Sequence, residues 1–159
     1  MKKYMKILLI MLVGAPAIAQ EKDSVKMLPP VTVTPSSNVN TEVSKAFNKT
    51  FKDAVNPKWY TVDKDYLVKF IQKDMNNNAY FKKNGSMVYH ISYGYEKNLQ
   101  ADLRQLVTDS YPEYNISRAI NVKAQGRNIW VINLEGMKRW VVVSIEDGTL
   151  EEVKNFEKG

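Results

Sequence analysis

From Thr41 to Val55, apolar positions recur at steps of three and four. Val43, Phe47, Thr50, Phe51 and Ala54 fall on one stripe, which predicts an amphipathic helix. Asn40 or Thr41 can cap it by accepting from the free N–H groups of the first turn. Asn56-Pro57 stops it, because the residue before a proline is pushed out of the α region. The period then changes to two. Trp59 to Val62 reads as a short strand. Tyr66, Val68 and Phe70 alternate with Leu67, Lys69 and Ile71, as in a strand with one buried face. Asn76-Asn77-Asn78 reads as a polar turn and Ala79 to Lys83 as a third strand. Asn84-Gly85 carries the signal of a type I′ hairpin, which needs two residues at positive φ. In the fourth strand Met87, Tyr89, Ile91, Tyr93 and Tyr95 share one face, and Val88, His90 and Ser92 share the other.

A similar order returns. A second helix is predicted over Lys97–Ser110, with Leu99, Leu103, Leu106 and Val107 as its stripe and Tyr111-Pro112 as its end. Strands follow near Asn115–Lys123, Asn128–Leu134 and Arg139–Glu146. Asp147-Gly148 is a second hairpin signal, before a last strand at Thr149–Phe156. An offset of 56 carries Val43, Phe47, Thr50 and Phe51 onto Leu99, Leu103, Leu106 and Val107. An offset of 64 carries Tyr66, Val68 and Phe70 onto Trp130, Ile132 and Leu134, and one of 63 carries Asn84-Gly85 onto Asp147-Gly148. One α-β-β-β-β unit used twice accounts for this, over residues 41–96 and 97–159 of a single compact domain. The fold class expected is α+β, with helices on one face of antiparallel sheet.

The N-terminus has a different pattern. Lys2, Lys3 and Lys6 precede the apolar run Ile7–Val13, Gly14 and Pro16 break it, and Ala17-Ile18-Ala19 supplies a small-x-small site. These are the parts of a bacterial-style secretory signal, residues 1–19, with cleavage expected before Gln20. The expected location is periplasmic or secreted, with no membrane insertion after cleavage. Residues 20–40 mix Lys, Ser, Thr and Asn with Pro29, Pro30 and Pro35, and read as an extended linker. Val31, Thr32 and Val33 are able to add an edge strand, although the composition favours a tether.

Export changes the charge picture. The chain carries a formal +6, but three positive charges leave with the signal, and 20 basic against 17 acidic residues leaves about +3. That charge is too small and too scattered for a nucleic-acid footprint. With no cysteine there is no disulfide, thiolate metal site, cysteine nucleophile or lipid-modified cysteine.

The spacing Phe47-x3-Phe51, Trp59, Tyr66-x-Val68-x-Phe70 and Ala79-Tyr80-Phe81 before Asn84-Gly85 resembles the PepSY-like family of exported Bacteroidetes proteins. That family is also described as β-lactamase-inhibitor-like, or BLIP-like. Tyr111-Pro112-x-Tyr114, Trp130-x-Ile132-x-Leu134 and Asp147-Gly148 carry the likeness through to about Lys158. Leu99-Gln100 departs from the Leu-Pro expected at the second helix. The resemblance implies two tandem units, each a helix packed on a four-stranded antiparallel sheet. It also implies a non-catalytic binding or inhibitory role in the cell envelope. The inhibitor name describes a shape, so inhibition of a β-lactamase does not follow from it.

Candidate chemistry is sparse. His90 is the sole histidine, so a histidine-rich metal site is excluded, and a strand histidine facing solvent or the sheet is the simpler reading. No Gly-x-Ser-x-Gly elbow, phosphate loop or dinucleotide fingerprint occurs. Asp63 and Asp65 are spaced like the start of a calcium loop, but the glycine and glutamate that should follow are missing. Glu146, Asp147, Glu151 and Glu152 read as turn and edge charges. No catalytic, cofactor or metal residue is therefore assigned, and the chain is read as a non-enzyme.

Strand parity places Trp130, Ile132, Leu134, Val141, Val143 and Ile145 under a helix. Ile129, Val131, Trp140 and Val142 are left on the opposite face as candidate contacts for a protein or peptide of unknown identity. The same parity puts Leu67, Lys69, Ile71, Val88, His90 and Ser92 on that face in the first half. The alternatives are a self-associating structural protein of the envelope and a carboxylate-based hydrolase. Oligomeric state is left open.

Overall fold

The computed structural model describes residues 33–36 and 38–159. The expected signal peptide and most of the 20–40 linker lie outside the described residues. The strands are β1 (Val33–Pro35), β2 (Val55–Val62), β3 (Asp65–Gln72), β4 (Met75–Phe81), β5 (Met87–Gly94), β6 (Asn115–Ala124), β7 (Arg127–Glu135), β8 (Arg139–Glu146) and β9 (Thr149–Glu157). The helices are α1 (Thr41–Thr50) and α2 (Ala101–Ser110). The fold is α+β. All nine strands form one open antiparallel sheet in the order β1 to β9, so every hydrogen-bonded neighbour is also a neighbour in sequence. The sheet is not divided near residue 96, because Tyr89–Gly94 of β5 pairs with Ala119–Ala124 of β6.

Both helices lie on the same face of this sheet. Under α1, Val43, Phe47 and Phe51 pack on Val68, Phe70, Ala79 and Phe81, with Trp59 and Tyr66 at the margin. Phe47 is the hub, with ring centroids 5.1 Å from Phe70, 5.2 Å from Trp59 and 5.4 Å from Phe51. Under α2, Leu99 and Val107 pack on Ile116, Ala119, Trp130, Ile132, Leu134, Val141, Val143 and Ile145. Each fully buried side chain of this size stabilises the fold by about 1.5–3 kcal/mol. Between the two clusters the covered face is polar: Asn77 on β4, His90 and Ser92 on β5, and Asn121 on β6 are all buried.

Four local expectations change. The N-cap of α1 is Asn40, whose side chain accepts from the Glu42 amide. The helix ends at Thr50, however, because Phe51 leaves the helical region at φ −121, ψ 64. Asn56-Pro57 then lies inside β2, at a register shift between Val55 and Lys58. The asparagine run is strand rather than turn. The β3–β4 turn falls earlier, where Lys73 and Asp74 take φ 53 and 58, the pair of positive values that a type I′ turn needs. At Asn84-Gly85 only Gly85 has positive φ, and its amide donates to the Lys82 carbonyl at 2.9 Å. This turn is therefore not type I′. Asp147 and Gly148 both take positive φ, at 49 and 77.

The fourth change is the parity of β5. Tyr80 pairs with Tyr89 on the open face, which sends His90 and Ser92 onto the helix-covered face. At the N-terminal side, the end of the expected linker is ordered as β1. It pairs with Tyr60–Val62, and its proline sits on an edge, where no ladder donor is needed.

Candidate binding face of the sheet

Because both helices cover one face, the other carries alternate residues of every strand. On β7 and β8, Ile129, Val131, Trp140 and Val142 lie there and are half-buried. Sequence reasoning assigns these four to the face opposite the helices, since clean alternation on β7 and β8 fixes which side chains face the helices. It missed their neighbours. Ile91, Val122 and Ile129 stand directly opposite one another across β5, β6 and β7. Tyr93, Ile120 and Val131 form a second such row. Tyr80 and Tyr89 stack at 5.4 Å beside them. Trp140 pairs with Phe156 of β9, which is 49% exposed, and the Lys158 ammonium sits 4.6 Å from the centre of the indole. The result is an apolar band across β5 to β7, with a second apolar patch of Trp140, Val142 and Phe156 on β8 and β9; between them Ile129 faces Glu146, Val131 faces Ser144, Asn133 faces Val142 and Glu135 faces Trp140. The alternation of Tyr89, Ile91 and Tyr93 was visible in the sequence, but their face was not.

Charge frames the band. Arg127 makes a bidentate pair with Glu146, at 2.7 and 2.6 Å. This pairing holds the Glu146 carboxyl below the ordinary range. Partial burial pushes the Asp65 carboxyl up, but Lys82 at 3.0 Å, the Lys83 amide at 3.1 Å and Tyr80 at 3.1 Å outweigh it and leave its pKa lowered. Asp63 lies exposed in the preceding turn at φ 54. These two aspartates do not act together. Glu152 accepts from the Tyr111 hydroxyl on the helix side.

His90 is neither solvent-facing nor on the open face. Its ring lies 4.8 Å from Phe51 and 6.0 Å from Phe70. Burial, assisted by the positive charge of Lys123, lowers its pKa to about 4. The Asn77 side-chain oxygen lies 3.0 Å from His90 Nε2 and accepts from Ser92 Oγ at 2.7 Å. The Asn77 amide nitrogen donates to the Met75 carbonyl at 2.7 Å, which fixes the oxygen as the acceptor. Nε2 therefore carries the proton and has no lone pair for Ser92, although the two are 3.2 Å apart. The cluster is a satisfied buried network, not a nucleophile with its base. Among the described residues, no three His, Asp or Glu side chains converge as metal ligands. Among the same residues no helix is long and apolar enough to cross a membrane.

No family model matches the chain, and no curated protein matches it. Its fold does have solved counterparts. A BLIP-like protein from Bacteroides fragilis superimposes with TM-score 0.58 at 13% identity, over 77% of this chain and 88% of that one. A DUF2874 family protein from Bacteroides ovatus gives TM-score 0.57 at 16% identity, over 77% and 89%. A proposed periplasmic protein from Bacteroides eggerthii gives 0.54 at 13% identity, over 76% and 89%. At these identities the likeness is one of fold, and the chain has the fold of the BLIP-like and DUF2874 proteins of Bacteroides.

Proposed function

We propose that a chain with this BLIP-like fold is an exported, non-catalytic binding or inhibitory module of the cell envelope. It engages a protein or peptide through the open face of the sheet. The observation that carries the reading is the apolar band across β5 to β7, with the patch of Trp140, Val142 and Phe156 beside it, on a face that no element of the described chain covers. Apolar side chains left uncovered on one face of a sheet mark interaction sites. The signal-like N-terminus and the proposed periplasmic counterpart support export. The recurrence of one helix followed by four strands supports descent of residues 41–96 and 97–159 from one unit.

The test is capture of partners from envelope extract by the chain beginning at Gln20. Trp140→Ala and Val142→Lys should each abolish capture and leave the melting transition in place. If both variants keep every partner of the parent while remaining folded, the open face is not the site. Sedimentation separates the self-associating alternative, since a dimer that dissociates on Val142→Lys assigns the open face to a second copy. A carboxylate-based hydrolase calls for two carboxylates facing each other in a cleft, with a raised pKa. Asp65 and Glu146 move the other way.

A further inference from the structure

We infer that the open face also carries an anion-recognising groove at the β2–β4 end, shaped for an acidic peptide segment. A hollow of about 660 Å³ lies there, lined by Lys58 and Tyr60 of β2, Lys69 and Ile71 of β3, and Asn76 and Asn78 of β4. Its origin is local. Three residue steps on β2 from Val55 to Lys58 oppose two on β3 from Ile71 to Lys69. Asn56, at φ 54, and Pro57 take up the extra residue, so the strand bulges and the sheet edge opens.

The charge arrangement gives the groove its ligand class. Lys58 and Lys69 are direct cross-strand partners, both exposed, and neither has a carboxylate partner among the described residues. Like charges directly opposite one another destabilise a sheet. An anion between them reverses that repulsion and gains two charge-assisted hydrogen bonds. Lys69 is held 5.2 Å from the centre of the Tyr60 ring, which positions its ammonium over the hollow. Asn78 stands opposite Lys69 and extends the row with amide donors and acceptors that match a peptide backbone. Asn76 stands opposite Tyr93, so the hollow runs directly into the apolar band. An occupant that fills both brings carboxylates next to apolar side chains, as an acidic peptide does and a bare phosphate does not. The choice of a peptide rests on the proposed function; the anion preference rests on the lysine pair alone.

The test uses the chain from Gln20 and an N-acetylated, C-amidated peptide of alternating glutamate and leucine, followed by backbone-amide NMR. The expected result is shift changes centred on Lys69, Ile71 and Asn76–Asn78. Affinity should fall about tenfold in the Lys58→Gln/Lys69→Gln double variant and with a glutamine-for-glutamate peptide. Lys49→Gln, on α1 across the sheet from the groove, should change it less than about twofold. The double variant should melt no lower than the parent, because it removes a repulsion. Shifts centred elsewhere, affinity indifferent to the double variant, or no binding overturn the proposal. Tighter binding of oligogalacturonate through the same lysines overturns the peptide class. Because the probe is purified, failure here leaves the capture experiment on Trp140 and Val142 standing, and the reverse also holds.

Discussion

Lowering the pH should destabilise this protein through His90. The ring is buried against Phe51 and Phe70, and Lys123, its cross-strand neighbour on β6, adds an unfavourable charge for the protonated form. Its pKa falls from 6.5 to about 4 on folding. The folded state thus holds the neutral ring, and the unfolded state binds the extra proton as pH drops below 6.5. The contribution of His90 is therefore complete above that value, falls between 6.5 and 4, and levels off below. Linkage gives a loss of about 2 kcal/mol by pH 5, approaching about 3 kcal/mol below pH 4. The carboxylates with lowered pKa, Asp65 and Glu146, make their contributions at more acidic values, so the interval from pH 7 to 5 belongs to His90. Urea unfolding at half-unit steps through that interval measures the slope. His90→Gln keeps a donor for the Asn77 oxygen and removes the titration, so its curve should be flat where the parent's falls. Because the chain has one histidine, a single imidazole resonance reports the folded pKa directly. Parallel stability curves for parent and variant, or a ring that titrates near 6.5 in the folded protein, would refute the reasoning.

Three further substitutions test the packing. Phe47→Ala removes the aromatic hub under α1 and should cost about 3–5 kcal/mol in chemical denaturation. Gly85→Ala places a Cβ 2.9 Å from the Glu42 carbonyl oxygen at a residue with φ +85. It should cost more than the ~1 kcal/mol of the left-handed conformation alone, read as a drop in melting temperature. Asn77→Ala leaves His90 and Ser92 without their shared acceptor, and should cost about 1–3 kcal/mol for each group stranded.

The elements that the sequence made legible are those whose residues all obey one rule. Val43 and Phe47 on α1, and Val141, Val143 and Ile145 on β8, keep strict period and are buried as expected. Asp147-Gly148 needs only the local chemistry of its own two residues. The failures occur where a tertiary contact overrides local preference. Lys73-Asp74 carries no turn signature, yet it turns, and Asn77 falls inside β4, where its oxygen accepts from His90 and Ser92. The same network explains β5. Its aromatic alternation resembles a core face, but the covered side is occupied by polar groups that satisfy one another. The β5 part of the candidate face, Tyr89, Ile91 and Tyr93, falls opposite to the parity expected for that one reason. The Lys58–Lys69 pair was hidden by the bulge at Asn56-Pro57, since register across strands is not written in either strand alone.

The strand order has a consequence for assembly. Every pairing joins consecutive strands, and the longest interval between partners is residues 95–114, which holds α2. Loops this short close at little entropic cost, and low contact order favours fast folding. Each newly arriving strand finds its only inner partner already in place, and each helix precedes the strands that it will cover. A chain delivered N-terminus first across a membrane can therefore zip its sheet in order of arrival. No strand has to wait for a distant one, and the growing edge stays a single strand until β9 closes the series.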